Sequence, residues 1–258
     1  MTFNHVLITG ASTGLGAALA EECAAPGVTL HLSARAVGRL ADTALACRAK
    51  GAIVHAMGLD VRDQAAMAAW IGGAGRLDLV IANAGIGAGT GHGFESEADA
   101  RAVFDTNVTG VLNTALPAIE AMAEQTPGPD GLRGRVAVIA SLAAFINGPT
   151  APSYCASKAA VQRWAETRDA TERRRGIRLH AVCPGFVRTP MTTRNDFPMP
   201  LLMEPAQAAR RSLAGIAAGH LRVVYPRRLY AITRLIGALP SGWQNRLLMQ
   251  APPKKAGG

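Results

Sequence analysis

Short, continuous apolar runs alternate along the chain with longer stretches free of proline and glycine. HVLIT (5–9), VTLHLS (28–33), AIVHAMGLD (52–60), LDLVIANAG (77–85), RVAVIAS (135–141) and IRLHAVCPG (177–185) read as strands. They are apolar runs rather than alternating ones, the mark of strands buried on both faces of a parallel sheet. Helical segments are predicted after residue 14, over 37–50, in DQAAMAAWI, over 97–125 and over 152–175. This interleaving predicts one α/β domain over 1–258, with a parallel sheet covered on both sides. LRVVYP (221–226) supplies a last strand. Beyond it, 226–250 predicts amphipathic C-terminal helices. Leu229, Ile232, Leu235, Ile236 and Leu239 recur there at helical spacing among arginines, and Pro240 and Gly242 interrupt the pattern.

Composition narrows the class. Of 258 residues, 49% are hydrophobic and 17% charged, enough for a large core and too apolar for a disordered chain. No apolar run is long enough to cross a bilayer, and MTFNHVLITG lacks the layout of a secretory signal. Cys23, Cys47, Cys155 and Cys183 are scattered, which suits reduced thiols and a cytoplasmic location better than a disulfide frame. The six histidines show no metal-ligand spacing, so no metal is expected. The net charge of +9 raises the question of nucleic acid. Its basic clusters, Arg173 to Arg175, Arg210-Arg211 and Arg227-Arg228, lie far apart and carry no nucleic-acid motif.

Chemistry enters at TGASTGLG (9–16), between the first strand and the first helix. Gly10, Gly14 and Gly16 allow a tight turn and close approach of a pyrophosphate, which the helix N-terminus favours through free N–H groups. An NAD site usually places an acid about 20 residues after such a loop, where it binds the ribose 2′-hydroxyl. Here residues 28–41 contain no acid. Arg35 stands where a 2′-phosphate would lie, with Ser12 as a further hydroxyl donor, so NADP(H) is expected over NAD(H).

YCASK (154–158) carries the second constellation. Tyr154 and Lys158, four residues apart on a predicted helix, share one face. A nearby ammonium favours the phenolate, so Tyr154 is expected to become acidic enough to exchange a proton near neutral pH. Ser141 ends the strand upstream, at the sheet edge where ligands bind in open α/β folds. Its hydroxyl can hold a carbonyl oxygen beside the tyrosine.

TGASTGLG, ANAG (82–85), NVTG (107–110), the serine of IASLAA, YCASK and PGFVRT (184–189), in this order, resemble the short-chain dehydrogenase/reductase family. The resemblance spans residues 5 to about 190. It implies a single-domain Rossmann-type, doubly wound fold and NAD(P)-dependent hydride transfer between nicotinamide and a carbonyl or alcohol. By motif, Tyr154 is the proton donor/acceptor, and Lys158 also binds the nicotinamide ribose. Ser141 orients the substrate oxygen, and Asn107 supports a relay water. The glycine loop passes the pyrophosphate. Asp60 and Val61 take the adenine, Asn83, Ala84 and Gly85 line the adenosine side, and Pro184, Gly185, Val187 and Thr189 hold the nicotinamide end.

Residues 186–205 correspond to the family's substrate lid. Phe197, Met199, Leu201, Leu202 and Met203 make it apolar and suggest an apolar substrate. The basic C-terminal helices depart from the family's usual short tail. They leave core packing or subunit contact, peripheral membrane contact and closure of the substrate pocket open, with a homodimer expected. Against the reductase stands a non-catalytic dinucleotide sensor on the same fold.

Overall fold

A computed structural model describes residues 3–87, 94–193 and 198–249. Seven parallel strands form one sheet in the order β3-β2-β1-β4-β5-β6-β7. They are β1 (His5–Thr9), β2 (Thr29–Ala34), β3 (Ile53–Gly58), β4 (Leu79–Ala82), β5 (Gly134–Ile139), β6 (Ile177–Pro184) and β7 (Arg222–Tyr225). The central strands β4 and β5 are buried throughout, as their unbroken apolar sequence requires. β3 lies at the sheet edge and is largely exposed.

The helices are α1 (Gly14–Cys23), α2 (Val37–Ala49), α3 (Gln64–Gly72), α4 (Glu97–Phe104), α5 (Gly110–Ala123), α6 (Pro152–Glu172), α7 (Pro205–Ala217), α8 (Arg227–Gly237) and α9 (Ser241–Leu248). Apolar clusters fill the space around the sheet. One joins β1 and β2 to α1, α2 and α7; another joins β4 and β5 to α3 and α5. α7 escapes the sequence pattern because its buried face is mostly small: Ala208, Ala209, Ser212 and Gly215, with Ile216 as the one large side chain. The predicted 97–125 helix is two helices, α4 and α5, joined by a π-helical stretch at Asp105–Thr109.

Asp169 fastens α6 to the sheet. Its buried carboxylate accepts from the Leu179 backbone N–H at 2.9 Å, from Arg178 at 3.0 Å and from Arg173 at 2.7 Å. These donors hold its pKa below the ordinary value, although burial alone pushes it up.

The C-terminal helices are packed on one side only. Leu229 and Tyr230 join a core cluster that includes Leu142, and Tyr230 meets Phe145 edge-on. Gln244 ties α9 down, donating to the carbonyls of Leu239 at 2.8 Å and Gly237 at 3.2 Å and accepting from Asn147 N–H.

Asp169→Ala would leave the buried Leu179 N–H and the Nε of the half-buried Arg178 without the acceptor they share. It should cost about 3 to 5 kcal/mol of unfolding free energy, measured by urea denaturation of the two proteins.

Candidate active site

Strand order reverses between β1 and β4, so their C-terminal ends open a crevice between neighbouring loops. A cavity of about 600 Å³ lies there, within the range of small-molecule sites. It gathers Gly10, Ser12, Gly14, Gly16, Arg35, Val61, Asn83, Ala84, Gly85, Tyr154, Lys158, Pro184, Gly185, Val187 and Thr189 into one wall.

Backbone crowding shapes the loop end. Gly10 has φ +67°, and a Cβ there would stand 2.8 Å from the Ala84 Cα. A Cβ at Gly16 would run into the Gly10 carbonyl oxygen and the Asn83 amide. Asn83 staples the two loops together: its Nδ2 donates to the carbonyls of Thr9 at 2.9 Å and Gly10 at 3.0 Å. Thr9 Oγ1 in turn accepts from the N–H groups of Asn83 and Ala84. The first turn of α1 faces this cavity through Gly14, Leu15 and Gly16. Its N-cap, Thr13, makes no side-chain capping bond, and the turn holds no acid. Free N–H groups and the positive end of the helix dipole therefore suit an anion.

Two arginines flank that end. Arg35, at the end of β2, and Arg39, one helical turn further, are both exposed and both line the cavity. Arg39 escaped sequence reasoning, though its i+4 spacing from Arg35 was available. Val61 is drawn in by Asn113, whose Nδ2 donates to the Val61 carbonyl at 2.9 Å. Asp60 departs from expectation. It is not part of the wall, and its carboxylate is taken by Arg62, with bonds of 2.6 to 3.0 Å. Those hydrogen bonds hold its pKa below the ordinary carboxylate value.

At the opposite end stand Tyr154 and Lys158. The helical spacing puts them on one face, with Lys158 Nζ 5.8 Å from the Tyr154 ring centre. Tyr154 is hydrogen-bonded to the Ser141 side chain, whose hydroxyl also accepts from the Ala143 N–H at 3.1 Å. The Ser141 carbonyl accepts from the Ala144 N–H at 3.1 Å, closing the turn after the strand. Lys158 donates to the Ile139 carbonyl at 2.8 Å.

The expected acidification of the phenol is not met. Burial pushes the Tyr154 pKa up and outweighs the Ser141 hydrogen bond that favours its ionised form. Burial also lowers the Lys158 pKa to about 8. Desolvation is the largest cause at both groups and penalises the charged form of each.

Asn107 is fully buried in the π-helical stretch. Its Oδ1 accepts from Ile86 N–H at 2.8 Å, and its Nδ2 donates to the Ile86 carbonyl and to Ser157 Oγ. The amide clamps the backbone next to Gly85, and a Cβ on Gly85 would lie 3.1 Å from Asn107 Oδ1 and 3.3 Å from Lys158 Nζ.

The segment expected as a lid is tied together at its base by Arg188 N–H to Met203 O at 2.9 Å and Met203 N–H to Phe186 O at 3.0 Å. Thr192 Oγ1 crosses the turn to the Val187 carbonyl at 2.7 Å. The apolar cover is placed differently from expectation. Pro190, Met191 and Thr192 line the cavity, whereas Met203 is buried in the core with Val187, Leu201 is exposed, and Met199 and Leu202 are outside the wall. Phe197 lies outside the described residues.

A family model described as short chain dehydrogenase matches residues 4–197. An uncharacterized oxidoreductase of Myxococcus xanthus is 35% identical over 245 residues, covering 93% of this chain and 94% of its own. Among solved structures, a short-chain dehydrogenase/reductase from Burkholderia phymatum in complex with NAD superposes with TM-score 0.79 at 25% identity. It covers 100% of this chain and 98% of its own. A short-chain dehydrogenase from Sphingobium yanoikuyae in complex with NADPH gives TM-score 0.77 at 26% identity, covering 98% of each chain.

Proposed function

This chain belongs to the short-chain dehydrogenase/reductase family of oxidoreductases, and from that premise we propose that it is an NADP(H)-dependent reductase of carbonyl compounds, or the reverse alcohol dehydrogenase. The observation that carries this reading is a single cavity with two chemically distinct ends. A glycine loop, an open helix N-terminus and two arginines stand at one end, and at the other stand Lys158 and Tyr154, which is hydrogen-bonded to Ser141. When bound, the dinucleotide supplies or accepts the hydride.

The residues then divide the work. Gly10, Gly14 and Gly16 leave room for the pyrophosphate, Ser12, Arg35 and Arg39 take the 2′-phosphate, and Val61 bounds the adenine with Ala84 and Gly85 beside it. Asn83 positions the loop rather than touching the nucleotide. Pro184, Gly185, Val187 and Thr189 border the nicotinamide end. Ser141 holds the substrate oxygen and stabilises charge growing on it. Tyr154, kept protonated by burial, gives that oxygen its proton in the reductive direction. Lys158 stands one turn behind as the adjacent cation and ribose ligand. Asn107, with its amide committed, is a positioning residue for the Ile86 wall. A dinucleotide sensor would need neither the Ser141–Tyr154 bond nor a buried lysine.

The free cysteines support a cytoplasmic location. The exposed Phe104 and Leu116, on α4 and α5, support a homodimer through that side. The C-terminal helices are left for peripheral contact with a membrane. With Met191 as the apolar lid residue in the cavity, an apolar substrate rests on less surface than the lid sequence promised.

Tyr154→Phe should lower kcat for carbonyl reduction by about a hundredfold or more while the NADPH dissociation constant, read by fluorescence titration, stays unchanged. Substantial residual turnover would remove the tyrosine from its role. Replacing both Arg35 and Arg39 by alanine should weaken NADPH by about ten- to a hundredfold and leave NADH unaffected. An equal loss for both would end the 2′-phosphate assignment. Lys158 carries its charge below its lowered pKa and loses it above. The kcat/KM for reduction should therefore fall as pH rises through about 8, whereas a profile flat to pH 10 would contradict a role for the ammonium.

A further inference from the structure

The outer side of α8 and α9 keeps an apolar stripe that the fold does not cover. Ile232 and Leu235 on α8, Leu239 just past it, Trp243 and Leu247 on α9 and Met249 just past that follow one another mostly at three- and four-residue intervals, and all are exposed. Leu235 is 73% exposed, Trp243 71% and Met249 67%. The inward side of α8 is already filled by Leu229, Tyr230 and Thr233, so these outer side chains have no core left to enter.

The charge of the chain is concentrated in the same region. All 18 acidic residues lie at or before Glu204, and so do 18 of the 27 basic ones. The first 204 residues are therefore formally neutral, and the whole net charge of +9 belongs to the last 54. On α8 and α9, Arg227, Arg228, Arg234 and Arg246 are exposed beside the apolar stripe, and Lys254 and Lys255 follow in the sequence. A second copy docked face to face would bring two such unneutralised arrays together, which is repulsive. An interface rich in acidic headgroups offers what the surface lacks: counter-charge for the arginines and an apolar layer for leucine and tryptophan.

We propose that the α8–α9 face docks on the surface of an anionic lipid bilayer, with Leu235, Trp243 and Met249 in the headgroup–acyl boundary and the arginines against acidic headgroups. No helix among the described residues is long and apolar enough to cross a membrane, so the contact is peripheral. The docking rests on the peripheral reading of the C-terminal helices and not on the catalytic one. Turnover of a small ketone, measured beside it, tells the two apart.

The test is co-sedimentation of the full chain with vesicles of phosphatidylcholine alone or with one third phosphatidylserine. The chain should pellet with the anionic vesicles only, and raising salt from about 0.1 to 0.5 M should release it, because the Debye length shrinks. The Trp243 emission should shift to shorter wavelength on binding, and Trp243→Phe should abolish that shift, since Trp70 is buried and Trp164 partly so. Leu235→Glu with Trp243→Glu should lower vesicle partition by about tenfold or more while ketone reduction is unchanged.

Several results would overturn the proposal. One is absence of binding to anionic vesicles at low salt. Another is binding that the double substitution leaves intact. A third is capture by soluble polyglutamate in preference to vesicles, which would point to an acidic polypeptide. Light scattering supplies the last: if the double substitution halves the particle mass without lipid, the face joins two copies instead.

Discussion

The close approach of two loops, one after β1 and one after β4, is the constraint on which the cavity depends. Backbone there meets backbone with no room for a side chain, and a single amide holds the pair. Asn83 gives both of its Nδ2 hydrogens to carbonyls of the glycine loop, while Thr9 returns the service from the other side. Gly16 is therefore dictated as much by packing against Gly10 and Asn83 as by any ligand. With that junction fixed, α1 starts in the right place, its free N–H groups face the crevice, and the wall between Arg35 and Tyr154 becomes continuous.

Electrostatics at the opposite end is governed by burial more than by pairing. Tyr154 and Lys158 are each pushed toward the neutral form, and the lysine is held by the Ile139 carbonyl on the strand beneath. Ser141 is the counterweight: its hydroxyl bonds to Tyr154 and accepts from the Ala143 N–H, and its carbonyl accepts from the Ala144 N–H. The sheet, not the helix alone, sets the geometry of the proton donor.

The features easiest to read in the sequence were those that short-range rules govern. Buried parallel strands announce themselves as unbroken apolar runs, and a four-residue interval on a helix predicts a shared face, so β1 to β6 and the Tyr154–Lys158 pair were legible. What stayed hidden depends on partners distant in sequence or on weak signals. α7 hides because its buried stripe is alanine, serine and glycine. The Asp60 carboxylate is held by Arg62, two residues on, a pairing that no motif announces. Asn113 holds Val61 from 52 residues away. The burial that raises the Tyr154 pKa depends on the depth of the site, which a linear pattern does not contain.

The π-helical stretch at Asp105–Thr109 sets a condition on length in this part of the chain. It lodges an additional residue in what would otherwise be a continuous α-helix. Removing that one residue would let the backbone relax into regular turns while the helix on either side kept its phase, because the bulge absorbs the added residue locally. The same deletion in the regular part of α5 has no such reservoir and would rotate everything downstream by about 100° about the helix axis. Lost between Gly110 and Asn113, a residue would swing Asn113 away from Val61 and turn Ala115, Ala118 and Ile119 out of the core they fill. The α4–α5 segment thus keeps its one reserve of length where Asn107 sits, and using it up would unseat the amide that clamps Ile86.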